Sequence, residues 1–123
     1  MAHIHTFSPL PGFRFKVEVH YHTSLRAMVK HYRTLYPDDK DLSFWAVCDT
    51  VDEPVDEDDV LCRVLFSPDR FSPDTVAHES AHAALHFVRV AGLDLTVEAS
   101  EELYASFLEH TVKTILDNKP KGW

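Results

Sequence analysis

The sequence predicts an α+β domain, a small and mostly antiparallel sheet with helices against one face. Three observations carry this. Residues 13–22, FRFKVEVHYH, alternate apolar and polar, the period of a half-buried strand. Residues 60–66, VLCRVLF, form a short apolar run of strand length. Ser72-Pro73-Asp74 then opens a long helical stretch that Gly92 is placed to close. The chain has 123 residues, 45% of them hydrophobic and 26% charged, which suits a single globular domain with its own core.

The elements follow in order. Pro9, Pro11 and Gly12 mark residues 1–12 as an irregular lead-in. In the strand over 13–22, Phe13, Phe15, Val17, Val19 and Tyr21 share one face, and His20 and His22 share the other. Thr23 or Ser24 caps a helix to about Tyr36, which Pro37-Asp38-Asp39 stops. Its apolar stripe is Leu25, Met28, Val29, Tyr32, Leu35 and Tyr36. Residues 43–48, SFWAVC, read as the second strand and 60–66 as the third. Between them DTVDEPVDEDD holds seven acids in eleven residues, a solvated loop. It lacks the residue order and the turn glycine of a calcium loop. A serine cap, a proline at the first helical position and an early acid start a helix that runs from Pro73 to Ala91. A last helix begins between 96 and 100 and runs to about Asn118.

Charge narrows the function. A net charge of −8 without a basic cluster disfavours nucleic acid and anionic membrane as partners. Two cysteines, Cys48 and Cys62, are too few for a disulfide scaffold, although they could pair if their strands are neighbours. No basic start precedes an apolar run at the N-terminus, and no stretch approaches the ~20 apolar residues of a membrane span. A cytoplasmic, soluble protein is expected.

Residues 78–82, His78-Glu79-Ser80-Ala81-His82, carry the chemistry. Residues four apart share one helix face, so two imidazoles can converge on one cation. The glutamate beside the first histidine lies near the metal without ligating it, and can take a proton from a metal-bound water. Catalytic zinc takes a third protein ligand. His86 follows His78 by eight residues. That is about 12 Å along a helix axis, too far to share the ion. The remaining candidates are Glu98, Glu101 and Glu102 in the last helix.

His78-Glu79-x-x-His82, the Gly92-Leu93 turn and Glu102-Leu103-Tyr104-Ala105-Ser106-Phe107-Leu108 resemble the gluzincin branch of the zincin metallopeptidases. They look most like its small members of phage type, and the likeness spans roughly residues 60–116. The resemblance implies a minimal zincin-like domain, with zinc on His78, His82 and Glu102 and with Glu79 as general base. It also implies that Ala105 lets the two helices approach. The apolar stripe of the last helix puts Glu101 nearer its middle than Glu102, so Glu101 stays as the alternate ligand and Glu98 as a third.

The expected activity is zinc-dependent hydrolysis of a peptide or protein substrate, with Glu79 activating water. The substrate would add as a strand at 60–66. Tyr104 and His110 are the candidates for a second oxyanion donor. The competing reading is a metal-stabilised interaction protein without turnover. His20-x-His22 and His3-x-His5 could each bind metal, but read as solvated strand residues.

Overall fold

The computed structural model describes residues 2–39, 46–51 and 59–123. In order these form β1 (His3–Phe7), β2 (Lys16–Tyr21), α1 (Leu25–Leu35), β3 (Val47–Thr50), β4 (Val60–Phe66), a 3-10 turn (Pro68–Arg70), α2 (Pro73–Ala91) and α3 (Glu98–Asp117). Local chemistry sets the helix ends. The Ser24 hydroxyl accepts from the Ala27 amide at 3.1 Å, and the Ser72 hydroxyl accepts from the Thr75 amide at 3.2 Å. Gly92 ends α2 at φ 66°, a left-handed backbone that a side chain would strain.

The sheet order is β1-β2-β4-β3. β1 pairs with β2 and β3 with β4, both antiparallel, while β2 and β4 run parallel with Tyr21 opposite Phe66. The α+β class and the mostly antiparallel sheet are therefore as expected.

Three expectations are corrected. The lead-in over 1–12 contains a strand, His3–Phe7, because its residues pair edge to edge with Val17 to Tyr21. The helices do not share one face. Met28 and Tyr32 of α1 pack with Val47 and Leu65, while Val64 and Phe66, their neighbours along β4, pack with residues of α2 and α3. The strand read as half-buried is thus covered on both sides, and His20 and His22 are buried as fully as an apolar residue. Finally, β4 is an inner strand, paired on both edges, so no substrate can add at 60–66. Among the described residues the sheet's free edges are β1 and β3. Of the strand expected at 43–48, residues 43–45 lie outside the described residues, as do 52–58 of the acidic loop. Asp49 and Thr50 belong to β3.

The main core lies between the sheet and the α2–α3 hairpin. Val17, Val19, Cys62, Val64 and Phe66 meet Val76, Ala83, Phe87, Phe107 and Ile115 there. Phe87 and Phe107 stack with ring centres 4.8 Å apart, and this pair sets the register of the two helices. The buried Tyr21 hydroxyl donates to the Ile115 carbonyl at 2.7 Å and ties the last turns of α3 to the sheet. Among the described residues no helix is long and apolar enough to cross a membrane.

The Phe87–Phe107 stack gives a direct test of this packing. Phe107 is fully buried, so Phe107→Ala should lower unfolding free energy by about 3–5 kcal/mol in urea titration. A loss below about 1 kcal/mol would show that the hairpin packs otherwise.

Candidate functional site

Four residues of helix bring His78 and His82 one above the other on α2. Their Nε2 atoms lie 3.3 Å apart and both rings are exposed. Two nitrogens each ~2.0–2.1 Å from a tetrahedral zinc ion are separated by about 3.3 Å, so the pair fits two corners of such a site. Glu79 lies 4.0 Å from the His78 Nε2 but is turned inward and only 6% exposed. Burial raises its pKa above the ordinary glutamate value, and the neighbouring His78 partly opposes that shift.

These side chains line one wall of a groove of about 760 Å³. The facing wall is the edge strand β3, through Cys48 and Thr50, continued by Val47 and by Tyr32 of α1. The buried His86 fixes this arrangement, its Nε2 hydrogen-bonded to the Val51 carbonyl at 2.6 Å. It acts as a packing residue that joins α2 to the end of β3, away from the His78–His82 pair. Cys48 and Cys62 are neighbours on β3 and β4 and remain free thiols. A hydrogen bond with Cys62, then burial, pushes the Cys48 thiol pKa up.

The three α3 carboxylates are all exposed. With Phe87 against Phe107 and the turn at Gly92, Glu102 comes opposite the C-terminal end of α2. The ten residues from His82 to Gly92 span about 15 Å of helix. Among the described residues no carboxylate of Glu98, Glu101 or Glu102 joins His78 and His82 in a set of three ligand atoms within 4.8 Å. Tyr104 packs against the main core and His110 lies beside Phe7, with ring centres 6.1 Å apart; neither lines the groove.

A second group of histidines lies on the opposite face of the sheet. His20 of β2 and His22, just past its end, meet His31 of α1, and one ligand nitrogen of each lies within 4.8 Å of the others. The His22 Nε2 is 3.0 Å from the His31 Nδ1, and the His20 Nε2 is 2.7 Å from the Glu18 carboxylate. Burial, then the proximity of His31 and His20, lowers the His22 pKa to about 4. Burial and His20 also lower that of His31. The spacing of His20 and His22 is visible in the sequence as a shared strand face, but His31 is not, because nothing local sets how α1 is rotated over the sheet. His3 and His5 lie apart from this group on β1, His3 beside the Tyr21 ring and His5 stacked on Phe7.

Comparison of the chain with protein-family models, with curated proteins and with solved structures finds no match.

The shift at His22 has a pH signature in the metal-free protein. Its folded pKa of about 4 lies below an unfolded value near 6.5, so the unfolded chain binds the proton more readily between them. Stability should hold above about pH 6.5 and decline as pH falls toward 4. In chelator-treated protein, His22→Gln should flatten that decline; an unchanged slope in urea titrations across this range would contradict it.

Proposed function

We propose that the chain is a zinc-dependent hydrolase of peptide bonds whose reacting groups lie in the groove between α2 and β3. The observation that carries this reading is the 3.3 Å approach of the His78 and His82 Nε2 atoms, with Glu79 recessed beside them. Both imidazoles are exposed toward the groove and can offer lone pairs to one cation. Zinc held by the two histidines supplies a Lewis acid there, polarising a carbonyl and acidifying water.

The chain's own residues do the rest. Glu79 takes a proton from the attacking water and passes one to the leaving amine. Its raised pKa suits a group that must both accept and return a proton. The walls of the groove exclude water from one side of the carboxylate. β3 has an unpaired edge among the described residues and borders the groove, so an extended peptide lying along it would present backbone carbonyls to the histidine pair. Substrate pairing is thus assigned to β3 in place of β4.

One observation favours a second reading, a metal-stabilised interaction protein without turnover. Among the described residues none of Glu102, Glu101 and Glu98 groups with His78 and His82 within 4.8 Å, and no step is assigned to them.

Glu79→Gln separates the two. For a hydrolase, zinc-loaded wild-type protein cleaves a quenched-fluorescent peptide library, and Glu79→Gln slows cleavage by about 10²–10⁴-fold with zinc content unchanged. If wild type and Glu79→Gln both hold zinc and neither cleaves, the hydrolase reading fails and the interaction reading stands.

A further inference from the structure

The far face of the sheet carries a feature that the groove chemistry does not use. Histidines are costly to bury without partners, yet His20 and His22 are each 7% exposed and point at a third histidine. They come from the end of β2, the residue after it and α1, so the grouping is tertiary and not an accident of helix spacing.

We infer that His20, His22 and His31 form a second metal site, a three-imidazole site for a divalent first-row transition ion such as zinc. The His22 Nε2 and His31 Nδ1, 3.0 Å apart, already stand close to the ~3.3 Å expected of two nitrogens on a tetrahedral ion. No nitrogen of the set is more than 4.8 Å from another, so small rotations about the side-chain bonds close the triangle. With no ion bound, one ring proton lies between the His22 Nε2 and the His31 Nδ1; on binding, the ring that carries it changes tautomer and holds it on its other nitrogen, so both rings ligate as neutral imidazoles.

The surroundings suit a cation. Glu18 accepts from the His20 Nε2 at 2.7 Å, which fixes the ring proton there and leaves the lone pair on Nδ1. A carboxylate behind a ligating imidazole orients the ring and raises its basicity. Arg63 is a nearby positive charge, and it sits between two carboxylates, 3.7 Å from Glu18 and 3.8 Å from Asp49. Its charge is therefore offset before an ion arrives. Imidazole donors select zinc, copper or nickel over magnesium or calcium, which prefer oxygen. Three protein ligands leave a fourth position open. Bound there, the ion would clamp α1 to β2.

The site is tested by zinc titration calorimetry on the full-length chain with His78→Ala and His82→Ala together, so that the groove pair contributes nothing. One equivalent of zinc should still bind. Adding His31→Ala should weaken that binding by at least about 100-fold, and Glu18→Gln should weaken it by about 10–100-fold. Circular dichroism checks that each variant folds, and His22→Gln replaces His31→Ala if α1 is lost. The inference is overturned if the double variant takes up no zinc at millimolar concentration. It is equally overturned if His31→Ala changes the affinity by less than about 3-fold, which would place the ion elsewhere. Neither outcome bears on the His78–His82 pair, which is absent from both arms.

Discussion

The parallel pairing of β2 with β4 is the constraint from which the other placements follow. Parallel neighbours cannot be joined by a tight turn, so the chain between them must cross over. It does so through α1 on one face of the sheet and through β3, which returns antiparallel along the outer edge of β4. α1 takes one face, and the α2–α3 hairpin that leaves β4 packs on the other. Both central strands are then shielded on both sides. Val17, Val19, Val64 and Phe66 have no exposed surface, and His20, on the other face of β2, is buried as well. With β4 inside, β3 becomes the edge that α2 lies against, and His86 fastens the two through the Val51 carbonyl.

That geometry divides the polar chemistry between two faces. On the α2 side, one turn of helix presents His78 and His82 to the groove and turns Glu79 inward against β3. On the α1 side, His20 of β2 and His22 just past its end are buried and Glu18 is half-buried, so the two histidines must find partners within the protein. They find them in one another, in His31 and in Glu18. Two imidazole groups of different origin thus arise on one small scaffold, one set by helix periodicity and one by the packing of α1.

The difference in origin explains what the sequence discloses. Local signals are legible. Ser72-Pro73-Asp74 and Gly92 mark the ends of α2 at Pro73 and Ala91, and the i, i+4 spacing puts His78 and His82 together. The alternation through β2 and the apolar run of β4 also survive into the fold. Tertiary choices are not legible. β1 is five residues of mixed polarity, HIHTF, and becomes a strand because β2 offers it an edge. Residue pattern alone cannot tell an inner β4 from an edge strand, nor which face α1 will cover. The third-ligand expectation depends on a helix–helix register. That register is set by the Phe87–Phe107 stack, two aromatic residues whose pairing no local pattern announces.

The proposed hydrolase requires that His78 and His82 hold a metal ion in the groove bordered by β3. Zinc-soaked crystals, measured for anomalous scattering at the zinc edge, test it most directly. A peak is expected about 2.1 Å from the Nε2 atoms of both His78 and His82, with Glu79 beside it in the groove. Crystals that show no anomalous density at that pair, with both rings free in solvent, would contradict it.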